Sequence, residues 1–354
     1  MRVVQFVPTL LAHDAVGNIV RRLDAYLHNH DVEAQVAVAG HRPPPGAIAI
    51  ERLRLDDHDL VLYHLASRSP EGARLAARHP NVVVHYHNIT PAELLLPWLP
   101  AEAIELAMAR REAVTVVERA RLVTAVSRYN ADDLATNLGC SDAVVTGTLS
   151  EHGTLRSLPP SPWRARLGDD WDARGRPHDW LSVGRLTPHK RQDDVIAAFA
   201  AYRAASGEDA RLRLVGRPAN RRWLTYLRSL AVGLGIAHRV QILVRPVPSN
   251  VLADLYRTAG VYVSASRHEG FGLPFLEAMS MGVPIAALAR AAVTETVADA
   301  GVLVDEERPA ELAAAAWAAA SSRSTLAPCM QARLAAFDNE RIAGHILELL
   351  RSLT

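Results

Sequence analysis

The chain has 354 residues, with 39 Lys and Arg against 38 Asp and Glu, a formal net charge of +1. Hydrophobic residues make up 49% and charged residues 22% of it, the profile of a globular protein with material for more than one core. That balance argues against a nucleic-acid partner, and Cys140 and Cys329 stand too far apart for a disulfide framework or a CxxC pair.

The N-terminal MRVVQFVPTLL has no basic stretch before a long apolar core, so Val3–Val7 reads as a buried strand and not as a signal peptide. Short apolar runs follow at Val32–Ala39, Leu60–Leu65, Val82–Tyr86, Leu122–Val126 and Ala143–Thr148. Helical periodicity separates several of them, clearest over Ile19–His28, Glu102–Arg119 and Asn130–Asn137. Gly40–Gly46 (GHRPPPG) is a turn-rich loop, whereas Pro159–Pro177 mixes Pro, Trp, Gly and Asp without period and reads as an interdomain connection. A second series has strands at Trp180–Val183, Leu212–Val215, Val240–Val244, Val261–Ser264, Pro284–Ala287 and Gly301–Val304. Helical stretches at Arg191–Ala205, Arg222–Gly233, Asn250–Thr258 and Phe275–Met281 lie between them, and Asn339–Leu353 forms a last helix. No run of about 18 apolar residues occurs, so no membrane-spanning helix is expected, and a cytoplasmic location is.

Apolar strands alternating with helices predict parallel sheets covered on both faces. The expected fold is therefore α/β, with two doubly wound Rossmann-like domains, 1–165 and 178–338, facing across a cleft. The helix of 339–354 is expected to pack back on the first domain. Such domains bind ligands at the carboxyl ends of their strands, where connections diverge.

Two segments of the second domain carry the chemistry. In SRHEGFGLPFLEAMSMGVP (Ser266–Pro284), Gly270 and Gly272 sit between Glu269 and Glu277. Glycines let the backbone approach a ligand, and amides at the start of the following helix suit a phosphate. Glu277 has the reach to bind a vicinal diol through both oxygens. In SVGRLTPHKRQDDVI (Ser182–Ile196), Arg185 and Lys190 follow a strand end and suit a diphosphate. Either segment alone reads equally well as an ordinary charged loop; both in one predicted domain point to a nucleotide site.

GRLTPHK followed by HEGFGLPFLEAM resembles the family-4 glycosyltransferases, a retaining group with the two-domain GT-B fold, and Glu269 and Glu277 match that family's E-x7-E spacing. HDAVGN (His13–Asn18), HYHNITP (His85–Pro91), VSRYNADDL (Val126–Leu134) and AVTETVADAGVLVD (Ala292–Asp305) resemble further blocks of a bacterial polysaccharide-type subgroup. The resemblance implies that Arg185 and Lys190 bind the donor diphosphate and that Glu277 binds the ribose. It places Glu269 at the transferred sugar, and Gly270, Phe271, Gly272 and Leu273 against the donor. It also assigns His87 to the reaction centre, Gly17 to the donor, and Asp14, Asn18 and Asn88 to the acceptor side.

The activity so implied is transfer of a hexose from a nucleotide sugar to a saccharide, glycoside or lipid-linked acceptor, with GDP-mannose preferred over UDP-glucose or UDP-N-acetylglucosamine. No metal or other cofactor is expected, since the two cations Arg185 and Lys190 supply the charge. His85 and His87 fall on one face of a strand but lack a third ligand. Two departures stand out: the subgroup's first glycine is His13 here, and Arg245–Pro246 replaces a glycine-containing turn near the nucleobase. Arg245 therefore either contacts the base or faces solvent. Leu94–Pro100 (LLLPWLP) reads as a buried or covering segment, with peripheral membrane contact as the alternative. A sugar-nucleotide epimerase, a dehydrogenase (which would need GxGxxG after the first strand) and an inactive nucleotide-sugar-binding subunit fit the motifs less well.

Overall fold

The computed structural model describes residues 1–11, 14–40, 42–162 and 177–354. Most of the connection expected over Pro159–Pro177, and His13, lie outside the described residues. The chain divides into two compact units. One comprises Met1–Glu93, Pro100–Ser150 and Phe337–Thr354, the other Leu94–Leu99 and Glu151–Ala336.

The first unit has strands β1 (Arg2–Val7), β2 (Glu33–Val38), β3 (Ala47–Ala49), β4 (Leu60–Leu65), β5 (Val82–Tyr86), β6 (Leu122–Ala125) and β7 (Val144–Val145). They pair in parallel in the order β3-β2-β1-β4-β5-β6-β7. Every residue of β4 and β5 is buried, as a strand covered on both faces requires. Helices α1 (Ala15–Asn29), α2 (Pro70–Arg78), α3 (Pro100–Glu118) and α4 (Arg128–Asn137) connect them. Ile19, Leu23 and Leu27 form the core-facing stripe of α1.

The C-terminal helix, Asn339–Arg351, belongs to this same unit. Its Ile342, Ile346, Leu347 and Leu350 share a core with Val3, Ile19, Leu23 and Leu27. Asn339 fixes its start, donating to the Ser150 carbonyl at 2.9 Å and accepting from the Ser150 amide at 3.0 Å.

The second unit opens with a short helix α5 (His152–Ser157) and has strands β8 (Trp180–Val183), β9 (Leu212–Val215), β10 (Val240–Leu243), β11 (Val261–Ser264), β12 (Ile285–Leu288) and β13 (Val302–Val304). Helices α6 (Gln192–Ser206), α7 (Arg221–Gly233), α8 (Ser249–Arg257), α9 (Leu273–Ser280), α10 (Val293–Val297), α11 (Pro309–Ser321) and α12 (Arg323–Ala335) complete it. The parallel strand order is β10-β9-β8-β11-β12-β13. Connections leave β8 toward one edge and β11 toward the other, so a topological switch point lies between these neighbours.

The strand expected over Ala143–Thr148 shortens to two residues. β3, α2, α5, α10, α11 and α12 lie outside the strands and helices expected from the sequence. Leu94–Leu99 divides its apolar residues: Leu95 and Leu99 are buried and Leu96 is exposed. Trp98 packs against Trp223 and Tyr226 of α7, each with ring centroids 4.9 Å away, and its carbonyl accepts from Asn220.

Candidate active site

The second unit places Arg185 and Lys190 after β8, and Glu269 and Glu277 after β11, the two strands that flank the switch point. Past β8 the chain turns through Gly184 at φ +147°, a backbone that glycine tolerates, and Arg185 follows, exposed. Gln192 at the start of α6 braces this turn. Its side chain donates to the Arg185 carbonyl at 3.0 Å and accepts from the Thr187 amide at 3.2 Å. Pro188–Lys190 is a single 3-10 turn, closed by a hydrogen bond from the Lys190 amide to the Thr187 carbonyl at 2.9 Å.

A close backbone approach holds Arg185 in place. The β8–β9 pairing runs on past both strands, the Gly184 amide reaching the Val215 carbonyl and the Leu186 amide the Arg217 carbonyl, each at 2.9 Å. A Cβ at Gly216 would lie 1.8 Å from the Gly184 carbonyl oxygen, and neither backbone can yield without breaking this ladder. Gly216→Ala should therefore lower unfolding stability by about 1–3 kcal/mol and shift the Arg185 turn. Urea denaturation checks the first, and an unchanged midpoint would contradict the close approach.

Past β11, the loop Ala265–Gly272 meets the Lys190 turn. The Arg267 amide donates to the His189 carbonyl at 2.9 Å, and Lys190 Nζ donates to the His268 carbonyl at 3.3 Å. Lys190 Nζ also lies 2.5 Å from Glu269 Oε1, both side chains being less than one-fifth exposed. Burial, then Lys190, His268 and Arg185, hold the His189 imidazole well below the ordinary histidine range. The glycine segment is braced from α10: the Ala292 amide donates to the Glu269 carbonyl at 3.2 Å and Thr296 Oγ1 to the Phe271 carbonyl at 2.6 Å.

Helix α9 starts two residues earlier than the sequence suggested, with Gly272 at φ +94° before its first turn. A Cβ there would lie 2.5 Å from the Phe275 ring, so both conformation and space call for glycine. Glu277 then sits in the second turn and accepts a hydrogen bond from Tyr256 of α8 at 2.7 Å. Burial pushes its carboxyl up to about 7; Tyr256 opposes that shift and Glu151 adds to it. Tyr262, buried in β11, donates to the Val183 carbonyl at 3.1 Å, and its hydroxyl pKa is raised by burial and then by Glu269 and Glu277. Tyr256, Tyr262 and Gln192 thus support the site, and no local sequence signal marked them. Arg245 stands exposed just beyond β10 at the sheet edge.

In the first unit, the Asp14 carboxylate caps α1 by accepting from the Gly17 amide at 3.2 Å. Asn18 accepts from Arg21 at 3.2 Å. His87 follows β5, and Asn88 has φ +80° with its side chain donating to Asn130 Oδ1 at 2.9 Å. Among the described residues no group of three His, Cys, Asp or Glu side chains has a metal-binding arrangement. No helix of the described residues is long and apolar enough to cross a membrane.

Residues 168–329 match the model of the family described as "Glycosyl transferases group 1". A D-inositol 3-phosphate glycosyltransferase of Geodermatophilus obscurus is 37% identical over 174 residues, which cover 47% of this chain and 38% of that protein. The chain thus spans well under two thirds of that relative's length. A GDP-mannose-dependent alpha-(1-6)-phosphatidylinositol monomannoside mannosyltransferase of Mycolicibacterium smegmatis is 28% identical over 287 residues, covering 74% and 68%.

Among solved structures, the sucrose-phosphate synthase of Thermosynechococcus elongatus superposes with a TM-score of 0.77 at 20% identity, covering 99% of this chain and 98% of that one. Anabaena Alr3699/HepE in complex with UDP and glucose gives 0.72 at 19% identity, covering 99% and 100%. These likenesses concern the fold, which is GT-B: two Rossmann-like units built on parallel sheets. The region that matches the glycosyl transferases group 1 family lies within the second unit.

Proposed function

We propose that the protein is a retaining glycosyltransferase that moves a hexose, mannose from GDP-mannose in the preferred reading, to a saccharide or glycoside acceptor. The observation that carries this reading is the convergence of Arg185, Lys190, Glu269 and Glu277 on one switch point. Breaking a glycosyl–phosphate bond leaves negative charge on the departing diphosphate, and preorganised cations stabilise that charge as it develops. Arg185 and Lys190 are assigned to this task, with backbone amides of Gly270, Phe271, Gly272 and Leu273 beside them. Glu277, oriented by Tyr256, binds the ribose diol. Glu269 holds Lys190 and lies toward the transferred sugar, and His87 is assigned to the sugar. No metal enters the scheme. The acceptor then attacks from the face the nucleotide leaves, and the departing phosphate oxygen takes its proton.

The mannosyl preference is supported by the GDP-mannose-dependent relative, which aligns over more of the chain than the inositol-phosphate relative does. The test is a donor screen over GDP-mannose, UDP-glucose and UDP-N-acetylglucosamine that detects the released nucleotide. GDP release is the expected result, UDP release would replace the sugar assignment, and neither binding nor turnover of any donor would overturn the reading.

Glu277 adds a pH signature. A carboxyl titrating at about 7 is ionised above that pH and protonated below it. Its two oxygens accept from a diol best as the carboxylate. Nucleotide affinity should therefore weaken as pH falls below about 7, by at most about tenfold per unit. Calorimetry on the wild type and Glu277→Gln checks this, since the variant should lose that part of the pH dependence. Identical profiles for both would remove the ribose assignment.

A further inference from the structure

Three imidazoles meet in the first unit: His64 of β4, His85 of β5 and His87 just beyond it. The His64 and His87 rings are stacked, 5.2 Å apart at 22°, and His85 stands edge-on to both. His64 Nδ1 lies 3.0 Å from His87 Nε2, and His64 Nε2 lies 3.1 Å from Gln5 Oε1. The Gln5 amide sets the direction of this chain. Its Nε2 donates to the Val20 carbonyl and to Asp24 Oδ1, both at 3.3 Å, and a carbonyl can only accept.

Gln5 Oε1 therefore faces His64, and His64 Nε2 carries the hydrogen. A neutral His64 keeps its lone pair on Nδ1, so His87 must donate Nε2–H to it. His87 is left with an unprotonated Nδ1. Burial first, and then the neighbouring imidazoles, hold both His64 and His87 well below the ordinary histidine range, which keeps the chain neutral. His85 stands outside it. Its Nδ1 donates to Thr124 Oγ1 at 2.7 Å, whose hydroxyl goes to the Val84 carbonyl at 3.1 Å.

The relay is directional in burial as well. Gln5 and His64 are fully buried at 0% exposure, whereas His87 is only partly buried and ends the chain at the carboxyl end of the sheet. A chain serving only to satisfy core polar groups has no need to reach the strand end where doubly wound sheets bind ligands. We infer that Gln5 and His64 are positioning residues that lock His87 as the neutral Nε2–H tautomer, presenting Nδ1 as a hydrogen-bond acceptor. In that state His87 receives a hydroxyl from a sugar and is not a proton donor. Its relevance to turnover rests on the transferase reading; the tautomer itself does not.

The test uses the full chain labelled with 15N-histidine, with His87 identified by the signals lost in His87→Asn. Long-range 1H–15N spectra at about pH 8 should show His87 with Nε2 protonated and Nδ1 bare. His64→Phe removes the acceptor while keeping a ring, so the His87 signals should move to a tautomer mixture. Its kcat should fall about tenfold or more, with the donor KM much less affected. His64→Asn places Oδ1 near the position of Nδ1 and should restore the Nε2–H form and most of kcat.

A wild-type His87 protonated on Nδ1, or a His64→Phe protein with unchanged tautomer and kcat, would overturn the inference. Should the Phe variant not fold, the wild-type and Asn spectra decide. The expected tautomers in a protein that turns over no nucleotide sugar would sink the transferase reading and leave the relay standing.

Discussion

Lys190→Ala should cut turnover at least tenfold, more than about 1.4 kcal/mol in the barrier, and toward a hundredfold if the amine meets charge that develops only in the transition state. Lys190 is held within a single 3-10 turn by the Lys190–Thr187 backbone bond, and its amine is aimed by the His268 carbonyl and Glu269. Removing it also leaves Glu269 without this counter-charge at the place where the diphosphate is assigned, so one substitution deletes an attraction and uncovers a repulsion. Lys190→Arg keeps charge but not the compact point-charge geometry and should fall between. A structural role predicts a different pattern: the melting temperature would fall together with turnover. Unchanged turnover in Lys190→Ala would remove the diphosphate assignment.

The sequence exposed this site because its parts are local. Arg185 and Lys190 follow one strand within six residues, and Glu269 and Glu277 bracket one glycine loop. The bounds of Leu60–Leu65, Val82–Tyr86, Trp180–Val183, Leu212–Val215 and Val261–Ser264 were legible for a related reason. Central parallel strands are covered on both faces and become short, nearly unbroken apolar runs. Helices α11 and α12 were not legible, because α11 is mostly alanine and has little contrast between faces.

The supporting residues escaped for a third reason. Tyr256 bonds Glu277 across 21 positions of sequence, and His64 and Gln5 reach each other across 59. Their meaning exists only once the strand order is known. Asp14, assigned to the acceptor side by resemblance, has a second part that only the structure shows, since its carboxylate caps α1.

The histidines of the first unit should also govern its acid stability. Burial lowers His85 from the ordinary 6.5 to about 4, and His64 and His87 lie well below their usual range for the same first reason. The sign follows from proton counting. Below 6.5 the unfolded chain takes up protons on these imidazoles while the folded chain does not, so unfolding is increasingly favoured as pH falls. His85 alone shifts the balance by about 3 kcal/mol once pH reaches its folded pKa. That is a large share of a stability of about 5–15 kcal/mol for a typical domain.

The loss begins near pH 6.5 and continues toward pH 4. Asp133 is held below its usual range, because hydrogen bonds from Arg110 and Tyr86 outweigh the opposing effect of burial; it contributes only at still lower pH, below 3.8. Hydrogen-exchange protection of the β4 and β5 amides, followed from about pH 7.5 to about pH 4.5 and corrected for intrinsic exchange rates, reports on the unit directly. Protection should fall steeply across this range, and His85→Asn should flatten the slope even though it lowers stability at neutral pH. Flat protection in the wild type would mean that these imidazoles accept protons without unfolding. The neutral core assigned to them would then be wrong.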